Sequence, residues 1–240
     1  MSKPKFNYQG GKDGIDWARW SWNPVTGCLY GCKYCYARDI NNRFNPHKHE
    51  PHFWPERLEA PKNTTIPKGK ENEPGIRNVF TVSMGDLFGD WVHDIWIDQI
   101  LYIATRNPQW NFIFLTKNPS RYIAFAAVIP PNAWIGATAD TQERADVALN
   151  VFGKLNVPNI KFLSCEPLSE SVWLRPIVLI DRFRIPINWL IIGGRSKSTG
   201  SPAMQPKWEW VENLLYQARV FGIQVYFKPN LTVRPKEFPE

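Results

Sequence analysis

The sequence predicts an α/β fold with a mostly parallel sheet, because short apolar runs alternate with helical patterns along most of the chain. The runs are rich in β-branched and aromatic residues and nearly continuous in their apolarity, which is typical of strands covered on both faces. They span residues 78–83, 111–116, 133–138, 160–164, 189–192 and 224–228. Because strand and helix alternate repeatedly after residue 78, we expect βα units in a parallel sheet or barrel, with the functional site at the carboxyl ends of the strands.

The helices are predicted from apolar residues at helical spacing and from signals at their ends. They span residues 93–106, 118–127, 145–155 and 207–222. Asn118 before a proline is expected to cap the second of these helices, and Asp140 with Glu143 forms the pattern of a capping box. Gly222 is expected to end the last helix.

The segment 41–77 differs from the rest of the chain because it is rich in Pro, Asn, Lys and Glu. We expect a long connecting loop or lid with a short helix near residues 55–59, inside one domain over residues 1–240. The first 15 and the last eight residues are expected to be loosely held.

The charge and the hydropathy of the sequence indicate which partners and which location are expected. The formal net charge of +7 on 240 residues suits a polyanion such as a nucleic acid, although a solvated basic surface is the alternative. Most of the 12 Trp are expected to be packing residues. No apolar run reaches the length of a membrane helix, and the N-terminal segment has no signal-peptide pattern, so we expect no membrane partner and a cytoplasmic location.

Three of the four cysteines lie within eight residues, at Cys28, Cys32 and Cys35, in a C-x3-C-x2-C pattern. Thiolates are soft ligands, and three of them can hold three irons of a 4Fe–4S cluster, which leaves the fourth iron open for a substrate or cofactor. Two alternatives stay open. A zinc site would take a fourth ligand from the three histidines of the 41–77 segment, and an electron-transfer cluster would take Cys165. The zinc candidates are His47, His49 and His52.

An aromatic residue, Tyr34, stands immediately before the third cysteine, and the motif CLYGCKYC follows a probable strand at residues 20–26 and precedes a helix at residues 36–42. This arrangement resembles the radical S-adenosylmethionine (SAM) superfamily. The resemblance implies a partial (β/α)6 TIM-like barrel of about six strands, a 4Fe–4S cluster on the three cysteines, and reductive cleavage of SAM to start radical chemistry. It also implies an electron donor such as flavodoxin or ferredoxin.

A longer series of motifs extends the resemblance from about Trp20 to Leu231. The series is WNPVTGCLYGCKYCYAR, HFWPERLEAP, FTVSMGDLFGDWV, FLTKNPSRY, WIGATADT, FLSCEPL, WLIIGGRS and VYFKPNL. It is similar to the phage-associated three-Cys-motif family of radical-SAM-like proteins, whose reaction is not established. Arg195 departs from the family, in which a glutamate usually follows the two glycines. The cysteine motif also resembles that of spore photoproduct lyase, which acts on DNA.

Candidate site residues follow the predicted strands, where a barrel places its site. By resemblance, Tyr34 and the loop after the second strand contact SAM, and small or polar residues at later strand ends complete the cofactor site. The cofactor-binding candidates are Tyr34, Ser83, Met84, Gly85, Asp86, Thr116, Thr138, Glu166, Gly193 and Gly194. Glu166 and Lys228 are the catalytic candidates, since a carboxylate at a strand end can accept a proton and a lysine can bind an anion. Cys165 is expected to be a buried thiol, with hydrogen-atom donation as the alternative.

These observations predict a radical SAM enzyme that acts on a nucleic acid or nucleotide. One alternative is a radical SAM enzyme that acts on a protein or small molecule. The other is a nucleic-acid-binding protein that has a structural zinc or iron–sulfur site and no catalytic activity.

Overall fold

The computed structural model describes residues 3–10, 17–179 and 182–233. The chain divides into two compact units, each described here by itself. The first comprises Met1–Gly31, Ala37–Gly136 and Val157–Asn159, and the second comprises Cys32–Tyr36, Ala137–Asn156 and Ile160–Glu240. The five residues Cys32–Tyr36 thus belong to the second unit, whereas the chain on both sides of them belongs to the first.

The first unit contains parallel strands, an antiparallel edge strand, a separate antiparallel pair and several helices. Its strands are β1 (Asn7–Tyr8), β2 (Trp20–Trp22), β3 (Val25–Thr26), β4 (His52–Phe53), β5 (Asn78–Thr81), β6 (Asn111–Thr116) and the start of β7 (Ala133–Thr138). Its helices are α1 (Tyr36–Phe44, from Ala37 on), α2 (Ala60–Asn63) and α3 (Asp94–Thr105). β2 pairs in parallel with β5, and β5 with β6, whereas β1 runs antiparallel to β2.

Aromatic side chains form the core of the first unit. Trp20, Trp22 and Trp110 are at most 5% exposed, and the ring of Phe6 lies 5.2 Å from that of Trp110 and 6.4 Å from that of Phe112. These tryptophans pack as predicted. Asn7 and Tyr8 pair with β2, and Phe6 is buried, so the expectation of a loosely held N-terminal segment is wrong for these three residues. All but one of the last eight residues lie outside the described part of the chain.

The second unit also contains parallel strands. Its elements are the end of β7, α4 (Gln142–Lys154), β8 (Lys161–Cys165), β9 (Ile177–Leu179), β10 (Arg182–Arg184), β11 (Trp189–Ile192), α5 (Trp208–Val220) and β12 (Gln224–Phe227). β8 pairs in parallel with β11, and β11 with β12, while β9 and β10 form a separate antiparallel pair. The helix α5 ends as predicted, before Gly222 with its positive φ of 67°.

The α/β fold class and the mostly parallel sheet are confirmed. Eight strands pair in the order β1-β2-β5-β6-β7-β8-β11-β12, and the described strands do not close into a barrel because β1 and β12 are the two ends of this order. The predicted first strand at 20–26 is divided. Its first part joins the sheet as β2, and its second part, β3, pairs with β4 outside it.

Two predicted helix starts are wrong. The segment after Asn118 forms only a short 3-10 helix, Pro119–Ile123, with no side-chain cap. The Asn118 side-chain amide donates to the Phe88 carbonyl and to the Asp90 carboxylate. The cap of α4 is Thr141, whose side chain accepts from the Arg144 amide, and Asp140 makes other contacts.

The segment 41–77 is more structured than a loop. It contains the end of α1, the strand β4, a 3-10 helix at the predicted place, Pro55–Glu59, and α2. A role as a lid stays a prediction. Among the described residues, no helix combines the length and the apolarity that crossing a membrane requires.

Candidate functional site

Cys32 and Cys35, the second and third cysteines of the motif, flank one tight turn of the second unit. The amide of Cys35 donates to the carbonyl oxygen of Cys32 over 3.2 Å, which is the i to i+3 hydrogen bond of a β-turn. The turn directly precedes α1. Two thiols separated by two residues on such a turn have the spacing of many metal sites.

The Cys32–Cys35 turn has two long-range hydrogen bonds within the second unit. The Tyr34 hydroxyl donates to Oδ2 of Asp140, and the Ser198 hydroxyl donates to the carbonyl oxygen of Lys33 over 3.1 Å. Arg144 donates to both Asp140 oxygens over 2.6 and 2.7 Å. Burial, followed by the hydrogen bond with Asp140, raises the pKa of Tyr34, so its hydroxyl keeps the proton that it donates.

Cys28, the first cysteine, belongs to the first unit and follows a segment fixed to the loop after β5. The amide of Gly27 donates to the Met84 carbonyl over 2.9 Å, and Gly27 bridges Gly85 in parallel. A Cβ on Gly85 would lie 2.6 Å from the Gly27 oxygen, so only glycine allows this approach. The amide of Cys28 donates to the His49 carbonyl over 3.0 Å.

The loop Ser83–Asp86, the predicted SAM contact, has hydrogen bonds within the first unit. The Asn23 carboxamide oxygen accepts from the Ser83 hydroxyl over 3.2 Å and from the Met84 amide over 2.9 Å. The Met84 carbonyl accepts from Gly27 and, over 3.0 Å, from Asn41. The loop therefore helps to position the start of the cysteine motif, and a direct contact with SAM stays a prediction.

Asp86, in the loop after β5, and Thr116, the last residue of β6, are both buried. The Asp86 carboxylate accepts from the amides of Phe88 and Lys117 over 3.1 and 2.9 Å, and the Thr116 hydroxyl accepts from the Asn118 amide over 2.9 Å. Burial raises the pKa of Asp86 despite these hydrogen bonds. Both side chains order the loops after β5 and β6.

The two catalytic candidates form an ion pair in the second unit. Glu166 directly follows β8 and Lys228 directly follows β12, and the lysine Nζ lies 2.6 Å from a carboxylate oxygen. Their side chains are 25% and 21% exposed, respectively. The Asn230 amide group donates to Glu166 over 3.3 Å and to the Gly194 carbonyl over 2.8 Å.

Gly193 packs closely against this ion pair and leaves little room for a side chain. A Cβ on Gly193 would lie 3.1 Å from Asn230 Oδ1 and 3.2 Å from side-chain carbons of Glu166 and Lys228. Asn230 Oδ1 is buried and accepts no hydrogen bond from the described residues. The ends of β8, β11 and β12 therefore pack closely around a buried acceptor.

Thr138 and Cys165 are buried at the ends of neighbouring strands of the second unit, β7 and β8. Cys165 is fully buried, as predicted, and burial followed by the charge of Asp140 raises its pKa. Its thiol therefore stays protonated at neutral pH.

The histidines proposed as zinc ligands lie near one another in the first unit. The rings of His47 and His52 stack with 3.6 Å between centroids, and the ring of Trp54 meets His52 edge-on at 4.5 Å. His49 Nδ1 lies 2.9 Å from the Asn41 side-chain amide. Burial, then the charge of His47, lowers the pKa of His52, which favours the neutral ring at physiological pH.

The three motif cysteines match the donor chemistry of an iron–sulfur cluster. All four cysteines of the chain lie in its described part and form no disulfide there, and Cys28, Cys32 and Cys35 are half-buried. Across residues 3–10, 17–179 and 182–233, no group of three or more His, Cys, Asp and Glu side chains is arranged to hold a metal ion.

Sequence reasoning missed Arg144, Asn23 and Asn230. Arg144 is recognisable only as the residue four positions after Asp140, a spacing at which a helix brings opposite charges together. Asn230 lies three residues after β12, and its place shortly after a predicted strand is the signal that could have found it.

The fold and these strand-end clusters define an α/β protein with a three-cysteine motif. The family model DUF5131, described as a protein of unknown function, matches residues 12–236. The chain therefore belongs to the DUF5131 family. No curated protein matches the chain, and no solved structure does. The resemblance to phage-associated radical-SAM-like proteins stays a prediction.

Proposed function

We propose that this protein is a radical SAM enzyme in which Cys28, Cys32 and Cys35 hold a 4Fe–4S cluster. The observation that carries the proposal is the C-x3-C-x2-C motif, with Cys32 and Cys35 on one hydrogen-bonded turn. A mostly parallel α/β sheet with polar groups at its strand ends supports it. The family has no assigned function, so the proposal rests on these residues.

Three thiolate ligands would leave one iron open for SAM. The bound cluster and SAM would supply one-electron reductive cleavage of SAM, with the electron coming from a flavodoxin- or ferredoxin-type protein. The chain's own residues would bind and orient SAM and the substrate. Asn230 would hold the Glu166 carboxylate through its side-chain amide, while Gly193 would allow the close approach of the strand ends. Glu166 and Lys228 would present opposite charges that a polar substrate can displace from each other.

The proposed substrate is a nucleic acid or nucleotide. The net charge of +7 supports a polyanionic partner. A radical SAM enzyme that acts on a protein or small molecule is the alternative within the same class, and it would cleave SAM without binding nucleic acid.

The test is anaerobic reconstitution with iron and sulfide, followed by reduction in the presence of SAM. We expect about four irons per chain and the appearance of 5′-deoxyadenosine, both lost in Cys32→Ala. Cys165→Ala is the matched control, because it removes a thiol outside the motif, and it should retain both. A wild-type protein that binds no iron and leaves SAM intact would overturn the proposal.

The second candidate is a nucleic-acid-binding protein with a structural zinc site. The histidines at 47 and 52, whose rings stack, favour it because neutral imidazoles are good zinc ligands. One equivalent of zinc that is lost in both Cys32→Ala and His52→Ala would establish it. Zinc retained in His52→Ala would exclude that ligand.

A further inference from the structure

We propose that Asp140 is a positioning residue that, clamped by Arg144, fixes the Cys32–Cys35 turn through the hydroxyl of Tyr34. The structure contains these contacts whether or not a cluster binds. Their purpose, to hold a cluster in one geometry, rests on the proposed function. All five residues belong to the second unit.

The Asp140 carboxylate is held in place by contacts other than the one with the cysteine turn. Its side chain is 3% exposed, and a buried charge is tolerated only when it is paired and hydrogen-bonded. Arg144 supplies the pairing from the next turn of the chain, through hydrogen bonds to both oxygens. Thr141 caps α4, so the Asp140 carboxylate is left to contact the cysteine turn.

Tyr34 transmits this fixed position to the cysteines. It is one of the two central residues of the turn whose ends are Cys32 and Cys35, and its hydroxyl joins the turn to Asp140. The Ser198 hydrogen bond to the Lys33 carbonyl holds the other central residue. Both central residues of the turn are thus tied to distant parts of the chain, 106 and 165 residues away.

The Cys32–Cys35 turn does not need these long-range hydrogen bonds in order to form its own i to i+3 hydrogen bond. Four-residue turns close through local backbone contacts alone. The two long-range ties instead restrict how the whole turn is oriented, which is what a multi-thiolate site demands of its ligands, since supporting residues orient the metal ligands. Asp140, Arg144 and Ser198 are therefore supporting residues of the motif.

The experiment compares wild type, Tyr34→Phe, Asp140→Asn and the control Tyr102→Phe. Tyr34→Phe removes one oxygen and keeps the ring, so it retains the packing, and Tyr102 is 63% exposed on α3. Hydrogen–deuterium exchange of the metal-free proteins is followed for the Cys35 amide, which forms the turn hydrogen bond. We expect exchange at least about threefold faster in Tyr34→Phe and Asp140→Asn and unchanged in Tyr102→Phe, because losing the anchor frees the turn. A smaller change in Tyr34→Phe would overturn the inference.

A second readout reports on the cluster itself. After reconstitution, the electron paramagnetic resonance spectrum of the reduced cluster should change in Tyr34→Phe, since reorientation of two ligands alters the cluster environment, and a loss of stability alone would not. Identical spectra would overturn the positioning role. If the wild type binds no iron, the proposed function fails, and the exchange rates alone decide whether the anchor exists.

Discussion

The ion pair of Glu166 and Lys228 has a different energetic character from the surface pairs of this protein. Its side chains are about a quarter exposed, whereas those of Lys62 and Glu59, 3.7 Å apart, are 77% and 59% exposed. Water screens the charges of Lys62 and Glu59, so this pair contributes almost nothing to the free energy of unfolding. In the pair of Glu166 and Lys228, each charge is partly buried and is stabilised by the opposite charge of its partner.

Lys228→Met is expected to lower the free energy of unfolding by about 1–3 kcal/mol, because it leaves the Glu166 carboxylate without its cation. Urea unfolding at neutral pH measures this. Lys62→Met, at the exposed pair, should change it by less than about 0.5 kcal/mol. Equal effects of the two substitutions would contradict the difference in burial.

Cys165 is expected to react with iodoacetamide more slowly than Cys32, by about two orders of magnitude or more. The thiolate is the nucleophile, and burial both raises the Cys165 pKa and excludes the reagent, so reaction must wait for local opening. Peptide mass spectrometry of the metal-free protein gives the two rates. In urea the rates should converge; equal rates in the native protein would show that Cys165 is accessible.

At the scale of elements, the entry into the cysteine motif depends on one backbone position. Gly27→Ala is expected to cost about 2–4 kcal/mol, because φ is 89° and the new Cβ would lie 2.1 Å from the Glu50 carbonyl oxygen. Gly69→Ala is the matched control, with φ at 83° and nothing within 4 Å of a Cβ, and should cost only about 1–2 kcal/mol. Similar losses in thermal unfolding would show that the Glu50 backbone moves aside.

Strands were the most predictable elements, and contacts far apart in the chain were the least. The bounds of β6, β7 and β11 agree with the sequence prediction, because each strand is a continuous apolar run between polar residues. Placing Glu166 near Lys228 follows from the carboxyl ends of parallel strands. The role of Asp140 was harder to predict. The sequence around it matches a capping box, whereas its hydrogen-bond partner, Tyr34, lies 106 residues earlier in the chain.

At the scale of the whole molecule, the excess of cations predicts nucleic-acid binding that depends on salt. The affinity for a single-stranded DNA oligomer should fall at least about tenfold between roughly 50 and 200 mM salt, because bound counterions are released. Fluorescence anisotropy gives the affinities. An oligomer of the same sequence with an uncharged backbone should bind far more weakly. No binding at the lower salt concentration would remove nucleic acid from the proposed substrates.

The two long-range ties of the cysteine turn have a consequence for biosynthesis. Ser198 is made 165 residues after Lys33, and Asp140 is made 106 residues after Tyr34. At about 5–20 residues per second, the ribosome needs roughly 8–33 s after Lys33 to reach Ser198. The turn is therefore synthesised well before its long-range partners. If the motif holds the proposed cluster, iron delivered during that interval would meet cysteines whose orientation is not yet set, and we expect cluster loading to follow synthesis of the whole chain.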